Sequence, residues 1–430
     1  MTELNPAALL EKLFDERTFT EIQKYADSSV VAGSGKVEGI TAYAYVQDIS
    51  VKSGAVNTNA AAKIKNVYAS AVKYGAPVVA VFNSKGGEIS EGIELIGAFS
   101  GIIGDCARLS GVVPMISVVT GQCSGLNATL CCMSDFVIMT EKSEMFFTPP
   151  FVAGDKVENA GKTQLNAQAG AASIIVNDAS DAVLKARSLL SLLPPNNLET
   201  VFCGGFERND AVITESIKSE ALLSAIADKG SLIEINSEFG SVSVTALGVL
   251  DSCATGFVMF DKAGKLTADD AAKIARFVNI CDAFSLPVIS MIDNDGFEPS
   301  MNAERAGFVR DTAKLAQIYA SSTTPKISLI TGKAVGAAFI LAGGFKSDFV
   351  LAYEDAVICP VSTKAAAVFL EQPEEDYIKN HAGVQNALKK GYIDAVITPS
   401  ETRDALIKAL DAVRGKRVTS PSRKHINIVL

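Results

Sequence analysis

Four short turns built largely from small residues are the features of this sequence best suited to chemistry. They lie at residues 85–87, 122–126, 295–297 and 334–337, and each follows an apolar stretch of strand-like composition. Backbone N–H groups at the turn before a helix point to one spot, where the helix dipole adds positive potential. Donors arranged in this way can stabilise a developing oxyanion, such as a thioester enolate, and removing one typically lowers the rate about 100- to 1000-fold.

The same glycines have a simpler explanation, because small residues also let a helix pack closely against a sheet. Catalysis by side chains is a weaker alternative. The chain has only two histidines, His381 and His425, which lie outside the four turns and are interpreted as structural residues of a helix and a tail. There is no Gly-x-Ser-x-Gly nucleophile motif, and no His lies at metal-ligand spacing from Asp or Glu. We therefore predict main-chain chemistry and no bound metal.

Composition excludes several classes of protein. With 39 basic and 48 acidic residues, the formal net charge of -9 argues against a nucleic-acid-binding surface. The eight cysteines form no C-x-x-C pair, so we interpret them as buried thiols of a reducing cytosol. The N-terminus lacks the apolar segment of a signal peptide. The longest apolar stretch is a poor membrane span, because it is interrupted by Pro114, Gln122, Asn127 and Asp135. These features predict a soluble, cytoplasmic protein.

The sequence also repeats itself, which indicates two domains in tandem. The motif AAKI occurs at residues 61–64 and again at 271–274, an offset of 210. Further pairs recur at offsets of 210 or 211, namely Pro77 with Pro287, Gly86 with Gly296, Gly121 with Gly332, and Gly125 with Gly336. A chain of this length exceeds one average domain. We place the boundary after residue 205, which gives domains at 1–205 and 206–430.

Within each half, strand-like and helix-like stretches alternate, which predicts an α/β layer structure. The runs PVVAVFN and PMISVVTG are continuously apolar, as expected for buried strands of a sheet that helices cover. Each run ends in one of the turns, and a helix-like stretch follows it.

Several segments carry a resemblance to a known family. They are DNDGFEPS at 293–300, TGKAVGAAF at 331–339, GYIDAVITPSETR at 391–403 and RKHINIVL at 423–430. In the first half, GQCSGLNATLCCMSDFVIM resembles the family's G-P-C-A-G-G segment. With the internal repeat, the chain resembles the carboxyltransferase subunits of biotin-dependent acyl-CoA carboxylases and decarboxylases, such as propionyl-CoA carboxylase beta and glutaconyl-CoA decarboxylase alpha chains. The resemblance covers nearly the whole chain and is most specific in its second half.

The resemblance implies two tandem, duplicated domains of the crotonase-like (ClpP/crotonase) fold. It implies that the N-terminal domain binds the acyl-CoA and the C-terminal domain binds biotin, with the site shared between two subunits. Carried over by position, the catalytic residues are Gly86, Gly87, Ser124, Gly125, Gly336 and Ala337. The residues implied to bind the cofactor or coenzyme are Leu126, Gly296, Phe297, Val335, Gly336 and Ala337. Those of the first half surround the thioester oxygen, and those of the second half hold the biotin ureido oxygen.

In the implied reaction, carboxybiotin releases CO₂ and leaves a basic biotin nitrogen that removes the α-proton of the acyl-CoA. The enolate then attacks CO₂, and the reverse reaction decarboxylates an acyl-CoA, so the cofactor carries the hard chemistry. The implied partners are a biotin carboxyl carrier protein and either a biotin carboxylase or a membrane decarboxylase subunit. The family further implies a homodimer, or a hexamer that is a trimer of dimers.

The first half departs from the family pattern at three positions. Lys85 replaces a glycine, Glu88 replaces an arginine, and Leu126 stands where a second glycine is common. Either the acyl-CoA pocket is remodelled or this half is catalytically weakened. Three functions stay open: the carboxyltransferase of an acyl-CoA carboxylase, the decarboxylase subunit of a sodium-pumping biotin-dependent complex, and a non-catalytic assembly subunit. The acyl group is undetermined, with malonyl-, methylmalonyl- and glutaconyl-CoA as candidates.

Overall fold

The computed structural model describes residues 5–23, 25–149, 152, 160–201, 203–260, 264–419 and 427. The C-terminal motif at 423–430, with His425, therefore lies outside the described residues except for residue 427. The chain forms two compact units, Met1–Val201 and Phe202–Leu430, whereas the sequence repeat placed the boundary after residue 205. Each unit contains its own sheet and its own buried core.

The first unit is built on one eight-stranded sheet. Its strands are β1 (Thr20–Glu21), β2 (Val30–Val37), β3 (Ile40–Gln47), β4 (Val78–Ser84), β5 (Met115–Ser124), β6 (Phe136–Thr140), β7 (Glu144–Phe146) and β8 (Ile174–Val176). They lie in the order β1-β2-β3-β4-β5-β6-β8, with β7 paired to β5. The β1–β2 and β2–β3 pairs are antiparallel and the other strand pairs are parallel. The described α-helices are Pro6–Leu13, Thr58–Tyr74, Ile93–Ala107, Leu126–Cys132, Thr163–Gln168 and Ala179–Leu190, and 3₁₀ turns lie at Lys52–Gly54 and Ile89–Glu91.

The second unit has a sheet of the same size. Its strands are β9 (Ile233–Ile235), β10 (Val244–Leu250), β11 (Cys253–Phe260), β12 (Val288–Asn294), β13 (Lys326–Val335), β14 (Phe349–Tyr353), β15 (Val357–Cys359) and β16 (Ala395–Ile397). The described α-helices are Ser219–Ile226, Ala268–Ala283, Met301–Ala306, Phe308–Ser321, Gly336–Leu341, Thr363–Phe369, Glu374–Tyr377, Val384–Lys389 and Thr402–Val413. A π-helical turn lies at Ile378–Ala382 and a 3₁₀ turn at Pro399–Glu401.

The two sheets share one topology, because the order and pairing of β9 to β16 repeat those of β1 to β8. Parallel pairs dominate both sheets, and the central strands β4 and β12 are buried along almost their whole length. Continuous apolar runs of this kind suit strands that helices cover. The molecule is thus an α/β protein with two parallel-rich sheets, and the predicted α/β class is confirmed.

The helix Thr58–Tyr74 illustrates how local sequence sets these elements. Asn57 caps its N-terminus by accepting a hydrogen bond from Ala60 N–H at 2.8 Å, and Gly75 ends it with a left-handed φ of 60°. Its buried residues recur at intervals of three and four and join the core of the first unit. The strand β4 then begins after Pro77.

The lysine of the repeated AAKI motif has a buried structural role. Lys63 Nζ donates to Val30 O at 3.0 Å. Lys273 Nζ donates to Gly240 O at 3.0 Å and to Ser243 O at 2.7 Å. Both lysines are buried, so each ammonium needs these carbonyl partners. The lysines tie a helix to the start of β2 in the first unit and to the segment before β10 in the second.

Each unit also contains an arginine–carboxylate pair. Arg403, from the segment PSETR, pairs with Asp228, and both side chains are buried. Arg187 pairs with Asp15 in the first unit, where the two side chains are 25% and 27% exposed. The arginine of this family motif therefore holds distant segments of its own unit together.

Two expectations from the sequence concern its apolar stretches and its cysteines. Among the described residues, no helix is long and apolar enough to cross a membrane. All eight cysteines are free and six are buried, whereas Cys132 is exposed and Cys253 is half-buried. The prediction of buried thiols is therefore wrong for these two. Burial raises the pKa of the Cys106 thiol to about 11, so this thiol stays protonated near neutral pH.

Candidate active site

Both pairs of turns lie where parallel strands end, at an irregularity that the two units share. In the first unit, the β4–β5 pairing breaks near the end of β4 and resumes between Ser84 and Cys123. In the second unit, the β12–β13 pairing breaks in the same way and resumes between Asn294 and Ala334. Such an irregularity bends a strand and redirects the residues that follow it. The turns therefore leave the two sheets at matching positions.

In the first unit, the turn at 85–87 lies against the end of β5. A side chain at Gly86 would place its Cβ 3.6 Å from Ser124 Oγ. Gly86 N–H donates to Ser84 Oγ at 3.1 Å, and Gly86 O accepts from Val56 N–H at 3.0 Å. The structure thus brings Gly86 and Ser124 together, but the polar groups of Gly86 are engaged within the unit.

Two N–H groups of these turns have no partner among the described residues. They belong to Gly87 and to Leu126, the first residue of its helix. Gly125 N–H, by contrast, donates to Phe146 O at 3.0 Å. A side chain at Gly87 would place its Cβ 2.8 Å from Leu95 Cδ2, which explains the glycine there. The first unit thus offers free donors on two turns that contact each other.

The second unit repeats this hydrogen-bond pattern. Gly296 N–H donates to Asn294 Oδ1 at 2.8 Å, and Gly296 O accepts from Leu266 N–H at 3.0 Å. A Cβ at Gly296 would lie 3.6 Å from Val335 O, so the turn at 295–297 contacts the end of β13. Gly296 and Val335 therefore correspond in space to Gly86 and Ser124.

Phe297 and Ala337 carry N–H groups without a partner in the part of the chain that the structure describes. Phe297 stands where the first unit has Gly87, and its ring packs edge-on against Phe308 at a centroid distance of 5.3 Å. The second turn therefore carries a large side chain at the position where, in the first turn, even a Cβ would press on the side chains of Leu95 and Phe99.

Gly336 begins the helix Gly336–Leu341 and is a glycine for two reasons. Its φ is 58°, in the left-handed region that most other residues avoid. A Cβ there would also lie 3.0 Å from Pro360 O. A larger residue would displace the start of the helix and with it the N–H of Ala337.

A cavity of 420 Å³ opens beside Gly336. Three aromatic side chains pack in succession along its wall: Phe339 against Phe345 at 5.1 Å, and Phe345 against Tyr392 at 4.8 Å between ring centroids. The charged and polar side chains that line it are those of Lys346, Lys390, His381 and Asn386, and no carboxylate of the described residues lines it. Such a lining suits an apolar ligand that carries polar or anionic groups.

His381 is a residue of this site that the sequence interpretation missed. It lies in the π-helical turn Ile378–Ala382, packs against Tyr377 at a centroid distance of 5.4 Å and lines the cavity. Single π-helical turns are frequent at functional sites. The sequence held no signal for this placement, because His381 is remote from Gly336 along the chain.

Side-chain nucleophiles and metals have little support at the second pair of turns. Cys359 lines the cavity, but burial raises the pKa of its thiol to about 11, so it is protonated near neutral pH. Within the described ranges, no three His, Cys, Asp or Glu side chains are grouped so that they could hold a metal ion.

A buried polar network supports the first pair of turns. Asn127 Nδ2 donates to Ser84 Oγ at 3.1 Å, and Asn127 Oδ1 accepts from Gln47 Nε2 at 3.1 Å. All three side chains are buried. Sequence reasoning missed this network, although a signal existed: Asn127 interrupts an apolar stretch, which by itself indicated only a poor membrane span.

Lys85 and Glu88, two of the departures from the family pattern, lie in a turn whose main-chain hydrogen bonds match those of the second unit. Lys85 is exposed, and the Glu88 carboxylate lies 3.8 Å from Lys52 Nζ. Glu88 N–H donates to Val56 O at 2.9 Å, and Glu298 N–H makes the equivalent bond at 2.9 Å in the second unit. The first turn therefore has the main-chain hydrogen bonds of its counterpart although Lys85 and Glu88 stand in it.

Comparisons with known proteins connect this geometry to a family. A family model described as the carboxyl transferase domain matches residues 7–428. The chain belongs to this family. This carboxyl transferase is 30% identical to the methylmalonyl-CoA decarboxylase subunit alpha of Veillonella parvula, over 98% of this chain and 92% of that protein. It is 31% identical to the propionyl-CoA carboxylase beta chain of Roseobacter denitrificans, over 95% of this chain and 87% of that one.

Solved structures agree with the assignment. The carboxyl transferase superposes on a crystal structure of transcarboxylase 12S, described with its hexamer assembly and with hydrolyzed methylmalonyl-coenzyme A bound. The TM-score is 0.94 at 27% identity, over 100% of this chain and 93% of that one. A single-chain, multi-domain long-chain acyl-CoA carboxylase shares the fold, with a TM-score of 0.84 at 22% identity over 95% of this chain and 47% of that one. The resemblance to biotin-dependent carboxyltransferases is thereby confirmed, and with it the predicted enzyme class.

Proposed function

We propose that this carboxyl transferase moves a carboxyl group between biotin on a carrier protein and an acyl-CoA, with one reacting oxygen held by each unit. The observation that carries the proposal is the duplicated pair of turns, each of which leaves main-chain N–H donors free beside a glycine. Two such pairs suit a reaction with two carbonyl-type oxygens, one on a thioester and one on a ureido ring. Donors already aimed at a developing oxyanion cost no reorganisation during the reaction.

We assign the thioester oxygen to the first unit. In this assignment Gly87 and Leu126 supply the N–H donors, and Gly86, Ser124 and Gly125 shape the turns that aim them. Negative charge on the oxygen grows as the α-proton leaves, so fixed donors stabilise the enolate more than the ground state. The names of the relatives, which include methylmalonyl-CoA and propionyl-CoA, support a thioester substrate.

We assign biotin to the second unit, at the cavity beside Gly336. The residues present fit the group, because Phe339 and its aromatic neighbours offer an apolar wall and the cavity measures 420 Å³. The N–H groups of Phe297 and Ala337 are available for the ureido oxygen, and no side chain at Gly296 or Gly336 obstructs them. Biotin, when bound, supplies the transferable carboxyl group and the nitrogen that accepts the α-proton. The chain itself orients the ring and balances charge on its oxygen.

The non-catalytic alternative has less support. It was motivated by Lys85 and Glu88, yet the first turn keeps the main-chain hydrogen bonds of the second. The first pair of turns also leaves the N–H groups of Gly87 and Leu126 without a partner among the described residues, as the second pair does with those of Phe297 and Ala337.

The proposal covers both the carboxylation and the decarboxylation of an acyl-CoA. The relatives include a decarboxylase subunit at 30% identity and a carboxylase chain at 31% identity. We therefore propose a biotin carboxyl carrier protein as a partner, together with either a biotin carboxylase or a membrane decarboxylase subunit. The hexamer assembly described for transcarboxylase 12S supports a homo-oligomer, either a homodimer or a trimer of dimers.

We further propose that each unit is a crotonase-like domain and that the protein works in the cytoplasm without a nucleic-acid partner. The shared strand order supports the duplicated domains. The proposed boundary after residue 205 lies close to the division between the compact units at Val201. Free cysteines are compatible with a reducing compartment.

Purified protein tests the proposal when it is incubated with malonyl-, methylmalonyl- or glutaconyl-CoA in the presence of free biotin or a biotinylated carrier protein. We expect at least one of the three esters to lose its carboxylate in a biotin-dependent manner. Chromatography of the CoA esters measures this loss. Reactions without biotin serve as the control. No loss from any ester, with the biotinylated carrier added, would contradict both the carboxylase and the decarboxylase form of the proposal.

A further inference from the structure

Asn127 connects the two turns of the first unit through a fully buried side chain. Its Nδ2 donates to Ser84 Oγ at 3.1 Å and to Gly86 O at 3.4 Å. Its Oδ1 accepts from Gln47 Nε2 at 3.1 Å, and Gln47 Oε1 accepts in turn from Asn83 N–H at 3.2 Å. Because an amide has two donor hydrogens and one acceptor oxygen, every polar group of Asn127 is engaged.

The network reaches both free donors of the first unit. Asn127 directly follows Leu126, whose N–H is one of them, and Gly86 directly precedes Gly87, whose N–H is the other. Ser84 Oγ accepts from Gly86 N–H and donates to Gly86 O, both at 3.1 Å. A single chain of hydrogen bonds therefore fixes the turn at 85–87 relative to the start of the neighbouring helix.

The second unit holds its turn without a buried link of this kind, although the exposed Lys333 Nζ, on β13, donates to Asp295 Oδ2 of the turn at 3.1 Å. Asn294 stands in place of Ser84, and its Oδ1 accepts from Gly296 N–H at 2.8 Å while its Nδ2 donates to Gly264 O at 3.0 Å. Ala338 stands in place of Asn127, and a methyl group cannot form a hydrogen bond to the turn. A direct amide bridge between the two turns at this position is thus a property of the first unit.

We infer that Asn127 is a positioning residue, which sets the spacing between the Gly87 and Leu126 N–H groups. The inference rests on the proposed function, because it takes these two donors to act on one thioester oxygen. Asn127 does not touch that oxygen, since its own polar groups are engaged in the network. Displacing a reacting or stabilising group by about 1 Å can cost about 100-fold in rate. Contacts with the rest of the substrate are left in place, so the effect falls on the transition state.

Asn127→Ala tests the inference by installing the residue that the second unit carries at the same place. We expect kcat for carboxyl loss from the accepted acyl-CoA to fall about 10- to 100-fold, with KM for the acyl-CoA changed by less than about threefold. Hydrogen exchange at the backbone amides of residues 85–88, which does not depend on activity, should become faster.

Tyr68→Phe is the matched control within the same core. It removes a buried hydrogen bond of 3.0 Å between the hydroxyl groups of Tyr45 and Tyr68 and leaves the turns untouched. A merely structural contribution of a buried hydrogen bond would act alike in both variants. We expect kcat and the exchange rates at 85–88 to keep their wild-type values in Tyr68→Phe.

Gln47→Met provides a second variant if Asn127→Ala does not fold. It frees one end of the Asn127 side chain without changing a residue of either turn, so kcat should fall in the same direction by a smaller factor, about 3- to 10-fold. Unchanged kcat and unchanged exchange at 85–88 in a folded variant would overturn the inference. An inactive wild-type protein would overturn the proposed function instead, and the exchange rates alone would then decide whether Asn127 holds the turn.

Discussion

The turns after β4 and β12 keep the same main-chain hydrogen bonds, yet different side chains hold them. In both units a glycine donates to a side chain two residues earlier, and the next N–H is left free. The first turn depends on Ser84 and on Asn127, which reaches across from the neighbouring turn. The second depends on Asn294 and on an exposed ion pair, in which Lys333 Nζ lies 3.1 Å from Asp295 Oδ2. The comparison shows that the main-chain hydrogen-bond pattern is duplicated, while the side chains around it have diverged.

The surroundings of the two pairs of turns differ as well. The second pair opens on a cavity of 420 Å³ with an aromatic wall and basic residues. Beside the first pair lies the buried polar network of Ser84, Asn127 and Gln47. Equivalent backbone in different surroundings suits two different ligands, as the assignment of a thioester to one unit and biotin to the other requires.

Gly336→Val breaks the second pair of turns most directly. A β-branched residue is strained at a φ of 58°, and its Cβ would meet Pro360 O at 3.0 Å. Because the helix start must move, we expect biotin-dependent turnover to fall about 1000-fold, with an unchanged circular dichroism spectrum. Gly230→Val is the control, since Gly230 also has a positive φ, 72°, with no atom near its Cβ position. Full turnover in Gly336→Val would remove this turn from the mechanism.

The variants Arg403→Met and Arg187→Met compare the two arginine–carboxylate pairs. Arg403→Met leaves Asp228 buried without its partner, which should lower the free energy of unfolding by about 3–5 kcal/mol. Arg187→Met should cost less, about 1 kcal/mol, because the side chains of its pair with Asp15 are about one quarter exposed. Denaturant unfolding of both variants measures the difference. Equal losses in the free energy of unfolding would contradict the expectation that the buried pair contributes more than the partly exposed pair.

Gly87→Ala sharpens the contrast with Phe297. The added Cβ would meet Leu95 Cδ2 at 2.8 Å and Phe99 Cε2 at 3.0 Å. Because Phe99 is buried in the core, we expect the turn to shift and kcat to fall about 10- to 100-fold. Gly97→Ala is the control, because a Cβ at Gly97 on the adjacent helix meets no atom within 4 Å. Steady-state kinetics with the accepted acyl-CoA measure both variants. Equal kcat values would mean that the first turn tolerates a side chain as the second does.

Asp15 gives the smallest expected effect, a dependence of stability on pH. Burial raises the pKa of its carboxyl, but hydrogen bonds from Gly39 N–H and the Arg187 guanidinium outweigh burial and lower it overall. A lowered pKa contributes stability that is complete above the unfolded value of about 3.9 and is lost as the pH falls through the folded value. The stability gap between wild type and Asp15→Asn should therefore narrow below about pH 4. A difference in stability between the two proteins that is constant with pH would contradict a stabilising ion pair between Asp15 and Arg187.

Much of the fold could be predicted from the spacing of glycines and prolines. Gly86 and Gly296 recur at one offset because both follow an equivalent strand, and that strand ends at the same irregularity in each sheet. The α/β class followed from continuously apolar runs. The lysine of the AAKI motif was recognised only as a repeat, because its carbonyl partners lie in segments that the motif does not contain.

The candidate site could be predicted only as far as its backbone. The four turns were found from their small residues, but which N–H groups are free depends on Ser84 and Asn294, whose side chains occupy the N–H groups of Gly86 and Gly296. His381 was missed because the cavity gathers residues that are distant along the chain. A single polar residue in an apolar run, such as Asn127, does not reveal its partners.

The central claim is that the two units divide the reaction, and Gly336→Val tests it when binding and transfer are measured together. Calorimetry would give the affinity for the acyl-CoA that the wild-type protein turns over, and a transfer assay with a biotinylated carrier would give the rate. The account predicts wild-type affinity for the acyl-CoA with transfer lost. Loss of both acyl-CoA affinity and transfer in a folded variant would contradict the assignment of thioester and biotin to different units.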